Sequence, residues 1–548
     1  MRGFSLAAAA IAVLFIASVP AAAGQDLLTV AEKSGFTDTS GYSDVISFID
    51  RLQRISPDIR VETLCRSVEG REVPLLILGA PCPYAPPGPE DERGVIYLQA
   101  NIHPGEVEGK EAVLMLARDI LSGKHRGLLN KLVILITPIF NADGNEKVSL
   151  DNRTNQEGPE MGVGVRYNGQ RLDLNRDCVK LETPEVRGFV EKVMNSWDPL
   201  LMVDCHTTNG SYHREPVTYS WPLNPNGSNE IIRCMREKIM PEIAGILEKD
   251  YGTLSVPYGR FADPAEPEKG WRTYNENIRY LTNYVGLRNR FAILNENYVY
   301  ADYRTRVYGC YNFLLAIARY TASHLEKMKS LAAEADRWAV ERWRETSPRD
   351  SFVVEMEVQP LERKVLIRGY EMEVISRERG WPRVRKKQKE VDYRIPYLAD
   401  FVPSKRAGFP YAYLMPYPDP DIIDVILSHG IVLERLTTPA ELEVEVFRTS
   451  EINRADYLYQ GHYLTSLKGD FERVKKSFPA GTLFITTAQP LGNLAAQLLE
   501  PQSGDGLVTW NFFDRYLVSQ WRRDLLPYPV SRLPEPANLE KARITTAD

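Results

Sequence analysis

From Ile46 to about Arg342 short apolar runs alternate with helix-periodic stretches. Val95-Ile96-Tyr97-Leu98 and Leu132-Val133-Ile134-Leu135-Ile136 are apolar at every position, the pattern of strands covered on both faces. Between them Val113, Leu116, Ala117 and Ile120 recur at helical spacing, which predicts a helix over 108–122 with one face on a sheet. Strand, helix, strand is the crossover unit of a parallel or mixed sheet. Further strands are expected at Leu200-Leu201-Met202-Val203 and Phe291-Ala292-Ile293-Leu294, and a long helix over 307–327. The fold class is α/β, a mixed, mostly parallel sheet flanked by helices.

Around 334–351 the strand pattern lapses into Glu341-Arg342-Trp343-Arg344-Glu345 and Ser347-Pro348, which predicts a connecting helix and a boundary. The text beyond is strand-rich, with strict alternation in Leu442-Glu443-Val444-Glu445-Val446-Phe447 and helices expected at 421–428 and 491–499. A first domain over 24–340 and a smaller α+β domain over 350–548, of no legible role, follow. At the start, Arg2, the apolar residues 6–16 and Ala21-Ala22-Ala23 after Pro20 predict a signal peptide over 1–23. Its apolar part is shorter than the roughly 20 residues that cross a bilayer, so the mature chain is expected to have no membrane span and to be secreted or periplasmic.

Composition narrows the partners. A net charge of -6 over 548 residues gives no global attraction to nucleic acid, and none is expected as a partner. The basic run 383–389 reads as a solvated strand or loop. Six cysteines contain no Cys-x-x-Cys pair, against a cysteine-zinc knuckle, and leave disulfide pairing open.

Among seven histidines, His103 stands out because it follows a strand and precedes Glu106 by three residues in a turn with Pro104 and Gly105. His206 likewise follows a buried strand. Parallel strands gather their carboxyl ends at one sheet edge, so His103, Glu106 and His206 can converge on one zinc ion with a coordination position left open.

These residues resemble those of the carboxypeptidase A-type zinc metallopeptidases, the funnelins. Ser67-Val68-Glu69-Gly70-Arg71 is similar to the family's entry motif, the 103–106 turn to its first zinc motif, and Asn141-Ala142-Asp143-Gly144 to its Asn-Pro-Asp-Gly turn. Arg166 with Asp173-Leu174-Asn175-Arg176, His206 and Ile293-Leu294-Asn295-Glu296-Asn297 follow in the family's order. The chain is identified as a bacterial member with an extra C-terminal domain. The resemblance covers about residues 43–328 and implies one zinc ion per chain and a peptide substrate with a free C-terminus. It implies Glu296 as the proton-transferring base, Arg166 as the oxyanion arginine, Asn175 and Arg176 as the clamp on the terminal carboxylate, and Asp173 as the carboxylate orienting His103.

Departures from the family bear on substrate. Gly105 and Gln156 stand where pancreatic-type members carry arginines, and Asp177 is expected to add negative charge beside the clamp. That charge, together with the expected export, keeps a cell-wall stem-peptide amide hydrolase in view as an alternative, beside a catalytically dead binding protein. Tyr274 and Tyr284 both suit the family's substrate-covering tyrosine, and the role stays open.

Overall fold

The computed structural model describes residues 27–344, 351–377, 382–521 and 524–545; the expected signal peptide lies outside them. Its main sheet contains β1 (Ile59–Arg66), β2 (Glu72–Leu78), β3 (Gly94–Ala100), β4 (Leu132–Thr137), β5 (Leu201–Thr207), β6 (Val217–Ser220), β7 (Ser255–Pro257) and β8 (Phe291–Asn297). Across the sheet the order is β1-β2-β4-β3-β5-β8-β6-β7. The middle strands β4, β3, β5 and β8 are mutually parallel, while β1, β2 and β6 run antiparallel to a neighbour. Every residue of β3, β4 and β5 is buried, which is why those strands read as unbroken apolar runs.

Helix α1 (Glu108–Leu121) makes the crossover from β3 to β4 and packs against α2 (Tyr303–Glu341). The long helix starts four residues earlier than its apolar pattern and runs fourteen further, kinked at His324 (φ -117°). Asp302 caps its start by accepting from the Thr305 N–H, and the charged stretch after Glu341 continues as a 3-10 turn, Arg342–Arg344.

The strand-rich part opens with β9 (Phe352–Pro360), β10 (Val365–Ser376), β11 (Arg383–Ile395) and β12 (Tyr397–Ala407). β9 pairs with β12, whose start pairs in parallel with Trp271–Arg272 from the first part of the chain. The basic run lies on β11, largely exposed, with Lys387 2.6 Å from Glu371 across the hairpin. A second sheet holds β13 (Ala412–Met415), β14 (Glu434–Leu436), β15 (Ala440–Arg454), β16 (Thr465–Phe478), β17 (Leu483–Thr486), β18 (Ser531–Leu533) and β19 (Lys541–Arg543). Its order is β16-β15-β18-β13-β17-β14-β19. Helices Pro420–Ser428 and Gly492–Leu499 stand where the pattern puts them. One hydrophobic cluster reaches from Ala31 to Ile544, so the core is continuous across the junction near 345. All six cysteines are free thiols; Cys205 and Cys310 face each other in this core with Sγ atoms 3.9 Å apart. No helix among the described residues is long and apolar enough to cross a membrane.

Candidate active site

The site forms at the carboxyl edge of the parallel strands. After β3 the chain turns at Asn101, whose φ of 65° is left-handed, and the Glu106 N–H closes on the His103 carbonyl at 2.8 Å. That tight turn brings the two side chains together. On β5, Asp204 and His206 are two residues apart and share a face of the sheet. His206 is the register partner of Glu296 on β8, which brings the glutamate alongside from the next parallel strand.

The three predicted ligands converge. Glu106 Oε2 lies 2.9 Å from His206 Nδ1, Glu106 Oε1 lies 3.2 Å from His103 Nδ1, and the two Nδ1 atoms are 3.1 Å apart. All three side chains are buried. The outer imidazole nitrogens face carboxylates: His103 Nε2 is 3.0 Å from Asp173, and His206 Nε2 is 2.9 Å from Asp204. Donation there leaves both Nδ1 lone pairs aimed at each other and at Glu106, an arrangement that needs a cation between them. Ligands about 2.0–2.1 Å from a tetrahedral zinc ion sit about 3.3 Å apart, close to the spacing here, so the donor set fits zinc in both chemistry and size.

Electrostatics follow from the burial. Burial alone would raise the Glu106 carboxyl, but His103 and Arg153 outweigh it and hold the group well below the usual carboxylate range. Asp173 is depressed in the same way, burial being overcome by His103 and Arg166. His206 is raised despite burial, because Asp204 and Glu106 favour its charged form. Glu296 moves oppositely: burial pushes its carboxyl up to about 8, against the pull of His206, and Glu106 adds to the rise. Glu296 Oε2 makes no hydrogen bond among the described residues, and Arg306 lies 3.5 Å from Glu108.

Arg166, Asn175, Arg176 and Glu296 line the same cavity of about 220 Å³, with Asp173 behind them against His103 and Arg166. Arg166 donates from Nε to Asp173 at 2.8 Å and holds Nη1 3.3 Å from His103 Nδ1. Asn175 accepts from the Leu281 N–H at 3.0 Å, and Arg176 walls the cavity with its guanidinium carbon 4.4 Å from the Tyr280 ring centre. Gln156 spends its amide on the Gly105 and Gly158 carbonyls. Tyr274, Tyr258 and Tyr280 line the cavity, whereas Tyr284 is fully buried and bonded to His429 Nδ1 at 2.8 Å, which removes it from the covering role.

Asp177 corrects an expectation. Its carboxylate faces away from the clamp, buried between Lys180 Nζ at 2.7 Å and the Thr183 N–H and hydroxyl at 2.8 and 2.6 Å. The lysine three residues on neutralises it within its own turn, so it brings no net charge to the substrate, and the case it made for a cell-wall substrate lapses.

Two functional residues escaped the sequence reading. Asp204 orients His206 and is itself held by Gln99 Nε2 at 3.2 Å; the Asp-x-His spacing on a strand was its available signal. Arg153 donates to Glu106 Oε1 at 2.9 Å and to the Thr207 carbonyl at 3.1 Å. Its stem crosses Gly105, where an added Cβ would stand 2.6 Å from Arg153 Cδ, so the missing side chain at 105 makes room for this arginine.

The zinc carboxypeptidase family matches residues 45–220. Carboxypeptidase 2 of Trichophyton rubrum is 23% identical over 535 residues, 91% of each chain. Human carboxypeptidase D is 24% identical over 274 residues, 44% of this chain and 19% of that one. Among solved structures, carboxypeptidase A from Helicoverpa armigera is 15% identical with a TM-score of 0.39, over 53% of this chain and 75% of its own. A metallo-carboxypeptidase from Burkholderia cenocepacia is 16% identical with a TM-score of 0.39, over 52% and 70%. With this ligand set and a family match over residues 45–220, the chain carries a zinc carboxypeptidase domain and is a zinc-dependent metallopeptidase.

Proposed function

We propose that the protein is an exported carboxypeptidase that removes single residues from peptides with a free C-terminus, residues 24–340 forming the catalytic domain and 350–548 an added one. The observation that carries this reading is the placement of Glu296 beside the His103, Glu106 and His206 triad, with two arginines on the wall of the same cavity. One zinc ion per chain, held by that triad, would supply Lewis acidity and a lowered pKa for the attacking water.

The chain's own groups do the rest. Glu296 takes a proton from the attacking water at its unpartnered Oε2 and delivers it to the leaving amine. A carboxyl lifted by burial is matched to both steps near neutral pH. Arg166, fixed at Nε by Asp173, turns its Nη atoms toward the oxygen that gains charge as the carbonyl becomes tetrahedral. Arg176, with Asn175, receives the terminal carboxylate, for which a guanidinium fork has the matching geometry. Asp173 and Asp204 hold the two imidazoles in the tautomer that points Nδ1 inward.

Paired peptides with free and amidated C-termini test this reading. Cleavage of the free acids with loss of at least a hundredfold in kcat/KM for the amides is expected, and equal cleavage would refute the clamp.

A further inference from the structure

The loop joining β15 to β16 leaves the second sheet and reaches the 173–176 segment from nearly three hundred residues away in sequence. Gln460 Oε1 accepts from the Asp173 N–H at 2.8 Å, and the Tyr459 hydroxyl accepts from Arg176 Nε at 2.9 Å. Beside them His462 Nε2 meets Glu182 Oε1 at 2.8 Å. The loop tip is itself fixed. Tyr459 and His462 exchange backbone hydrogen bonds of 2.8 and 3.0 Å, and the two residues between them, Gln460 and Gly461, have φ of 51° and 81°, as a tight hairpin turn requires. The Tyr459 ring stacks on Trp510, whose indole N–H donates to Asp505 at 3.0 Å.

Arg176 is thereby immobilised. Nε is tied to Tyr459, Nη1 returns to the Asn175 carbonyl at 2.6 Å, and Tyr280 lies against the guanidinium. Nη2 has no hydrogen bond among the described residues, and the Arg176 side chain lines the cavity. A free arginine side chain gives up rotamer freedom when a ligand fixes it. An arginine already fixed does not, so the same contact yields more affinity.

We propose that Tyr459 and Gln460 are positioning residues for the terminal-carboxylate site, holding Arg176 and its segment from the C-terminal part of the chain. The strand-rich part is then a component of substrate recognition. This inference rests on the reading of Arg176 as the receiver of the substrate carboxylate.

Full-length zinc-loaded enzyme decides it, with the free-acid peptide it cleaves best and the matching amide. Tyr459→Phe keeps the ring on Trp510 and removes only the hydroxyl, and melting curves check that the fold is intact. A rise in KM of about tenfold for the free acid, with kcat within about twofold, is expected, and little change for the amide. Gln460→Leu, a second and independent cut of the loop contact, is expected to raise KM about fivefold. Tyr459→Phe in an Arg176→Ala background is expected to add nothing, because the arginine it serves is gone. If Arg176→Ala raises KM while Tyr459→Phe and Gln460→Leu do not, the positioning role is wrong and the clamp stands. If Arg176→Ala leaves free-acid KM unchanged, the clamp falls and this inference with it. Additive effects in the double variant, or losses confined to kcat, would also overturn it.

Discussion

Asp204→Asn isolates the contribution of a carboxylate that never reaches the metal position. The wild-type chain of bonds runs from the Tyr97 hydroxyl to Gln99 Oε1 at 3.0 Å, from Gln99 Nε2 to Asp204 at 3.2 Å, and from Asp204 to His206 Nε2 at 2.9 Å. Asparagine has one acceptor where aspartate has two. If its oxygen faces His206, its amide nitrogen meets the Gln99 amide nitrogen, donor against donor. Gln99 can turn over only by withdrawing its oxygen from the Tyr97 proton, so one buried donor loses its acceptor in either arrangement. That loss is about 1 kcal/mol, and removing the charge from the remaining bond to His206 adds about another. Near 2 kcal/mol corresponds to roughly a 30-fold weaker zinc affinity, within the 10- to 100-fold range of such outer partners. Competition against a chromophoric chelator at pH 7.5 measures it. A dissociation constant within about threefold of wild type, in a variant that melts normally, would show that the imidazole needs no such carboxylate.

Glu296→Gln is expected to retain zinc by metal analysis while kcat falls about 10³-fold, since it removes the proton carrier and no ligand; zinc loss in parallel would assign the residue to the metal site instead. Gly105→Ala places a methyl group against the Arg153 stem 2.6 Å away. It should free Arg153 from Glu106 and lower kcat/KM about tenfold, and wild-type rates would refute that packing argument. His429 supplies a pH test. Burial holds its imidazole down to about 3, so between pH 3 and 6.5 the unfolded chain binds the extra proton and stability rises with pH. Acidifying from pH 7 to 4 should therefore remove about 3 kcal/mol through this group, and denaturant titrations of His429→Gln should lack that part of the slope.

What the sequence disclosed tracks how local each signal is. The β3–α1–β4 crossover was visible because burial on both faces writes a strand as a continuous apolar run, and the ligands were visible because each sits just past or at the end of such a run. Asp204 and Arg153 were harder for different reasons. Asp204 lies in a strand that reads as buried, where an acidic side chain has meaning only once its partners His206 and Gln99 are known. Arg153 acts through the space above Gly105, and no property of position 153 by itself signals that an absent side chain 48 residues earlier makes room for it. Asp177 misled in the reverse direction: its proximity to Arg176 in sequence suggested a shared field, but one turn of backbone aims it at Lys180.

The contacts between Tyr459 and Arg176 and between Gln460 and Asp173 extend the same point to the whole chain. A hydrogen bond across 283 residues leaves no periodicity and no spacing to read, because either residue alone would serve an ordinary loop equally well. Such ties are nevertheless the ones that set a guanidinium in place, since a long side chain is fixed only by partners on several sides, and local sequence supplies one side at most. In this fold the metal ligands come from neighbouring strands of one sheet and are legible. The guanidinium proposed to meet the substrate's charge is held by a loop of a different sheet, so its precision depends on the packing of the two sheets against each other. A substitution that loosened this packing without touching the cavity, at the Trp510–Asp505 anchor for example, is expected to weaken substrate binding before it weakens zinc binding.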